Sequence, residues 1–274
     1  MAIDPTARVA EGARIGNSVE IGPYCLVGPD VELADGVRLL AHVNVAGVTT
    51  IGQGTVVYPF ASLGTPPQSI HYRGGPTRLI IGANCELRES VTMNTGTEDG
   101  GGVTRVGERC LFMVGSHVGH DCQIGNAVAL ANNAMLGGHV SVGDDTFLGG
   151  NAAIHQYVRI GEGSMLAGVS GVAADIIPFG FALGQRAELI GLNTVGLRRR
   201  GATRTELQRL RRAYRALFSA EGVFAERIEA VAREFAGDSA IDKIVAFIRS
   251  GGKRPLMRPR KGPRDDTGGD AGSQ

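Results

Sequence analysis

The chain has 274 residues, 43% of them hydrophobic, with 42 glycines, no tryptophan and a formal charge of +1. That size supports one large core with an appendage, and the near-zero charge gives no electrostatic reason to expect a nucleic-acid partner. No run approaches the roughly 20 apolar residues of a membrane span, and the start Met1-Ala2-Ile3-Asp4-Pro5 has neither a basic nor an apolar targeting region, so neither a signal peptide nor an integral membrane segment is expected.

From the start an aliphatic residue returns at every sixth place: Ile3, Val9, Ile15, Ile21, Val27, Leu33, Leu39, Val45, Ile51, Val57 and Leu63. No helix or flat strand has that period, whereas a triangular parallel β-helix does. One hexad per face means that 18 residues complete a coil, so residues that far apart in number stack about 4.8 Å apart in space. Cys25, Cys85, Cys110 and Cys122 each stand four places after a hexad aliphatic, in the slot that elsewhere holds Ala7, Ala13 or Val19. They are expected to be small inward fillers, reduced as in a cytoplasmic protein. His42 stands alone on a wall and reads as a surface or interface residue.

The rhythm breaks twice, at residues 65–77 and 94–104, where prolines and glycines cannot supply hexads. Both breaks precede the coils that carry most of the histidines, and they are expected to form flaps over a groove. The repeat then runs from Val106 to Val172, giving about nine coils and a prism roughly 40 Å long at the strand spacing. In this run His120 stacks beneath Gly138 and Gln156, and Asp121 beneath His139 and Tyr157, while His155 lies above Gly137 and Gly119. Histidines and a carboxylate on one outer face, with glycines beside them, are not arranged like core residues.

After Val172 the pattern dissolves. Gly184 to Asn193 reads as a linker, and Thr203-Arg204-Thr205-Glu206 as a capping box opening a helix; further helices are expected around Phe224–Phe235 and Ile241–Ile248. Eight arginines against one glutamate over 198–215 offer a docking surface for a phosphate or an acidic protein. The expected domains are a β-helix over 1–183, a helical part over 184–250 and a disordered tail over 251–274.

An imidazole on an open wall beside a carboxylate suits general-base chemistry near neutral pH, and the Gly138 N–H one coil above could bind a developing oxyanion. The period alone does not say whether Asp121 pairs with His120 or with His139.

The hexads, the two loops and the segments Gly119-His120-Asp121-Cys122, Leu130-Ala131-Asn132-Asn133-Ala134, Gly138-His139-Val140, Ile154-His155-Gln156 and Gly196-Leu197-Arg198-Arg199-Arg200-Gly201 together resemble the acyl-carrier-protein-dependent UDP-N-acetylglucosamine 3-O-acyltransferase family, which begins lipid A synthesis. The resemblance implies a left-handed β-helix and a cytoplasmic homotrimer with sites in clefts between prisms. It implies His120 as base, oriented by Asp121, with Gly138 as oxyanion donor. Gln68, His71, Asn94, His117, His139, His155 and Gln156 would line the sugar and acyl site. Asn193, Arg199 and Arg200 would reach the nucleotide from a neighbouring subunit. The acyl group would arrive on the phosphopantetheine of acyl carrier protein, with no further cofactor and no metal. Gly168 would be the acyl-chain ruler, and a glycine there implies a longer chain. This chain departs from the family pattern at Ser69, His71, Asn94-Thr95-Gly96-Thr97 and Val195, which raises acylation of the 3-amino sugar analogue as an alternative. Two readings of other classes are a γ-carbonic-anhydrase-like zinc enzyme using His117 and His120, and a non-catalytic scaffold.

Overall fold

A computed structural model describes residues 2–259. Strands pair in parallel at the interval that the hexads dictate: Ala2 lies opposite Glu20, His117 opposite Met135, and Met135 opposite Ala153. Three sheets of 11, 9 and 8 strands form the faces of a triangular prism. Most strands are two residues long because the chain turns a corner after each one. Most corners place a residue in the left-handed region three positions after the hexad aliphatic; Asp121, His139 and Tyr157 hold φ of 60°, 61° and 68° at one edge. Such backbone is uncommon for residues with a Cβ, and here it repeats because the helical winding imposes it on every coil.

The hexad aliphatics from Ile21 to Val172 are buried in one continuous column, and the four cysteines are buried and free, as their slot requires. Burying each such aliphatic contributes roughly 1.5–3 kcal/mol. The column is unfinished at its first coil, where Ile3 is 41% exposed.

The two breaks lengthen the coil, and the pairing resumes beyond each, with one register shift between Leu63 and Thr65 where the first begins. Leu63 sits opposite Met93, and Ile81 opposite Val106, so each excursion is extruded between adjacent rungs. The phase slip at Val106 is therefore confined to the second loop.

Past the prism the structure corrects the sequence reading twice. Half of the linker-like 184–193 segment is strand: Glu188–Leu192 pairs antiparallel with Gly180–Leu183 at the end of one face. A short helix α1 (Thr194–Arg199) follows, then α2 (Arg204–Leu217), α3 (Phe224–Glu234) and α4 (Ser239–Arg249). Helix α2 begins with the expected capping box between Thr203 and Glu206, and buries Leu207, Leu210, Tyr214 and Leu217.

The second correction concerns the tail. Residues 251–259 are not a free end but a strap laid back on the prism. The Asp175 N–H donates to the Pro255 carbonyl and the Met257 N–H to the Asp175 carbonyl, both at 2.8 Å, and Met257 is buried. Beneath the strap, the buried Asp175 carboxylate takes Arg159 Nε at 2.7 Å, and Arg159 Nη1 donates to Ser250 at the end of α4. The expectation of disorder for 260–274 lies outside the described residues.

Candidate active site

His120 and Asp121 occupy the corner that follows the strand His117–Val118. Corner residues with this positive φ elsewhere, such as Tyr24 and Phe60, are exposed, but the second loop covers Asp121 and leaves its side chain 1% exposed. A carboxylate so buried is costly unless it is fully hydrogen-bonded. The second loop supplies the partners. Thr97 donates its N–H to both carboxylate oxygens at 3.0 and 3.1 Å, and its hydroxyl to Oδ2 at 2.6 Å. The Asp121 N–H is itself taken by Thr104 Oγ1 at 2.8 Å. The loop can close this tightly only because it carries glycine: a Cβ on Gly100 would stand 2.1 Å from Asp121 Oδ2.

The remaining partner of Asp121 Oδ2 is His120 Nδ1 at 2.8 Å, while His139 Nε2 stands off at 3.8 Å. The ambiguity that the period left open is resolved in favour of His120. Since the carboxylate accepts from every other neighbour, Nδ1 is the atom that carries the imidazole proton, and Nε2 is left with its lone pair. The ring lies flat against the coil above: a Cβ on Gly138 would be 2.5 Å from both Cε1 and Nε2. Among the described residues the Gly138 N–H has no hydrogen-bond acceptor.

His139 meets His120 edge-on with ring centroids 4.9 Å apart, and stacks on Tyr157 at 4.4 Å. Burial holds its pKa below the ordinary histidine value, a pull that Asp121 opposes and His120 and Lys253 reinforce. His117, on the preceding strand, places Nδ1 2.8 Å from Thr92 Oγ1, and burial followed by the nearness of His120 lowers its pKa too. His139 and His117 are thus held toward the neutral form around a single imidazole–carboxylate pair.

The other candidates are distributed unevenly. Gln156 stacks above Gly138, and His155 and Gln156 are exposed beside the strap. Gln68 and His71 are exposed on the first loop, where His71 borders a hollow of about 230 Å³ shared with Arg73 and Asp99. The loops are tied to each other: Glu98 accepts the Gly75 and Arg73 N–H groups at 2.6 and 3.2 Å. These amides, with Glu98's own, hold the Glu98 carboxyl below its usual range. Asn94 is not an open binding group. It is buried, and its Nδ2 donates to Thr65 Oγ1 and to the Pro66 carbonyl at 3.1 and 3.0 Å, fastening the first loop to the second. Asn193 is likewise engaged, capping α1 through the Gly196 N–H and donating to the Gly163 carbonyl, both at 2.9 Å. Arg199 and Arg200 are exposed at the end of α1. Gly168 stacks over Gly150 on a different edge from His120, the one that follows Met165–Leu166.

Of the arginine-rich stretch, Arg209 and Arg212 pair with Asp238 and Glu234, whereas Arg198, Arg204 and Arg211 line a hollow of about 460 Å³. Two groups escaped the sequence reading. Thr97 lies in a loop whose departure from the family pattern was visible, but its bond to Asp121 spans two coils. Arg254 belongs to the strap and reaches His155 at 2.6 Å.

Comparison with known proteins decides the family. An acyl-[acyl-carrier-protein]–UDP-N-acetylglucosamine O-acyltransferase of Azorhizobium caulinodans is 59% identical over 260 residues, covering 95% of this chain and 96% of that one. The chain belongs to this acyltransferase family. A Caulobacter vibrioides member is 52% identical, covering 95% of this chain and 99% of its own. The solved UDP-N-acetylglucosamine acyltransferase from Campylobacter jejuni superposes with a TM-score of 0.88 at 39% identity, covering 94% of this chain and all of that one. A family model described as UDP N-acetylglucosamine O-acyltransferase, domain 2, matches residues 175–257. The strap up to Met257 is therefore part of the acyltransferase domain. The prism is the left-handed parallel β-helix of the acyltransferases, followed by a small helical part. Among the described residues no helix is long and apolar enough to cross a membrane.

Proposed function

We propose that the enzyme transfers a 3-hydroxyacyl chain from acyl carrier protein to the 3-hydroxyl of UDP-N-acetylglucosamine, the first step of lipid A biosynthesis, in the cytoplasm. The observation that carries this reading is the His120 Nδ1 to Asp121 Oδ2 contact of 2.8 Å, with the ring pressed on Gly138. With Nδ1–H committed to the carboxylate, His120 Nε2 takes the proton from the sugar hydroxyl. The alkoxide attacks the thioester carbonyl, and the unpartnered Gly138 N–H stabilises the oxyanion of the tetrahedral intermediate. Collapse breaks the carbon–sulfur bond, and the departing phosphopantetheine thiolate takes the proton from the His120 imidazolium. Asp121 stabilises that imidazolium without itself being protonated. No metal or further cofactor enters these steps.

The remaining candidates follow from a trimer with its sites between prisms. Gly168 lies on another edge of its own prism than His120, so an acyl groove bounded by both requires a neighbouring chain. In that arrangement Gln68, His71, His117, His139, His155 and Gln156 face the sugar and acyl chain, Asn94 holds the first loop over them, and Arg199 and Arg200 reach the diphosphate of the neighbour's nucleotide through their fixed fork of donors. Asn193 sets the start of the helix that carries them. Gly168 leaves the groove open to a long chain.

The test is mass spectrometry of the product formed from UDP-N-acetylglucosamine and a panel of acyl carrier proteins. Acylation at the 3-oxygen, abolished by His120→Ala, is the expected outcome. The names of the relatives favour the hydroxyl acceptor. Preferential turnover of the 3-amino sugar run alongside would move the reading to amide formation, and an active His120→Ala enzyme would end it.

A further inference from the structure

The strap places two cations over the exposed corner beside the site. Lys253 Nζ lies 4.1 Å from the centre of the Tyr157 ring, the top of the column Asp121–His139–Tyr157. Arg254 Nε donates to the Gln156 carbonyl at 2.9 Å, and Arg254 Nη2 lies 2.6 Å from His155 Nδ1. These positions are not those of a loose end. Pro255, Leu256 and Met257 bracket Asp175 on the C-terminal side. On the N-terminal side the chain crosses the Arg159–Asp175 pair at Gly252, where a Cβ would stand 2.4 Å from Asp175 Oδ2 and 2.6 Å from Arg159 Nε. A side chain there would displace the Arg159–Asp175 pair, so glycine lets the strap cross it tightly before Lys253 and Arg254 reach this edge.

We infer that Arg254 is a positioning residue that fixes the tautomer of His155. A guanidinium donates and never accepts. At 2.6 Å from Arg254, His155 Nδ1 must offer its lone pair, and the proton of the neutral ring then sits on Nε2. The alternative, Nδ1–H donating to the Gln156 carbonyl 3.2 Å away, is opposed by the same arginine, whose Nη2–H would then face Nδ1–H at 2.6 Å. His155 therefore presents Nε2–H as a fixed donor, suited to an oxygen of the bound substrate rather than to proton abstraction. His120 and His155 take opposite tautomers for the same kind of reason: a carboxylate holds Nδ1–H in one, and an arginine claims bare Nδ1 in the other. The kinetic part of this inference rests on the acyl-transfer reading; the tautomer part does not.

The experiment uses the full chain labelled with 15N-histidine. Two-bond nitrogen–proton correlations report the tautomer of each of the six histidines, with His155 assigned by the signal lost in His155→Gln. The unmodified protein shows Nε2–H at His155. Arg254→Met mixes the tautomers, raises the substrate KM about tenfold, the size of one charge-assisted hydrogen bond, and leaves kcat within about twofold. Arg254→Lys, which keeps a donor, restores most of both. Thermal midpoints confirm that the strap stays docked through Pro255–Met257 in each variant. An Nδ1–H signal at His155 in the unmodified protein, or an Arg254→Met variant unchanged in tautomer and KM, overturns the inference. If the tautomer responds while no acyl transfer to the nucleotide sugar is found, Arg254 keeps its positioning role and the acyl-transfer reading falls instead.

Discussion

Thr97 reaches across from an extruded loop to give Asp121 both its backbone N–H and its hydroxyl, the latter at 2.6 Å. This relationship makes the loop part of the imidazole–carboxylate pair, because without it a buried carboxylate would have His120 as its chief partner. Thr97→Val keeps the amide and the shape but removes the hydroxyl. The expected result is a loss of about 1.5–3 kcal/mol of stability and a kcat reduced roughly tenfold with KM little changed, measured by denaturant unfolding and steady-state kinetics.

The Nδ1–H tautomer of His120 makes substitutions at its two neighbours act differently. Asp121→Asn keeps one acceptor oxygen and replaces the other with an NH2 donor, so it no longer holds Nδ1–H firmly and lowers kcat by about 10²–10⁴. Gly138→Ala acts differently, because its Cβ would fall 2.5 Å from the imidazole. The ring must move, and activity is lost out of proportion to the change in thermal midpoint. A Gly138→Ala enzyme with ordinary turnover would show that the ring is not held where catalysis needs it.

Acid sensitivity follows from His117, whose pKa is lowered from 6.5 by burial and then by His120. A base held below its unfolded value binds fewer protons in the folded chain than in the unfolded one. Stability is then fully present above the unfolded pKa and falls as the pH drops through it. His117→Gln should flatten the decline of the thermal midpoint between about pH 7 and pH 5; an unchanged slope would refute this.

The strap depends on the pair between Arg159 and the buried Asp175, 2.7 Å apart. Asp175→Asn leaves the guanidinium without its countercharge at the junction of prism, α4 and strap. Breaking such a pair costs about 3–5 kcal/mol, and limited proteolysis should then cut first near residues 250–254.

How far the sequence carried these conclusions depended on the range of the interaction. Ile21, Val57 or Leu130 could be assigned inward from the six-residue period alone, and the stacking of His120 under Gly138 came from the same arithmetic. Asp121 could not be assigned a partner, since its environment is completed by Thr97 in an excursion to which no period applies. Asn94 and Asn193 stand among the binding groups through the family resemblance, which carries no information on the backbone groups that engage them here. The segment 184–193 read as a linker since its strand partner, Gly180–Leu183, follows no repeat. The composition of residues 251–259 suggests disorder, yet their partners are Gln156, Tyr157 and Asp175, 80 to 98 positions earlier.

The strict pairing of each coil with the next also sets the grain of whatever lies along the prism. A groove running up an edge is graduated like a ruler, with marks about 4.8 Å apart. In the proposed acyl groove, one substitution at one mark, such as a bulky side chain at Gly168, would shorten the usable length by a whole division and leave the other marks as they were. Selectivity for length can then drift through single changes that never touch the residues doing the chemistry.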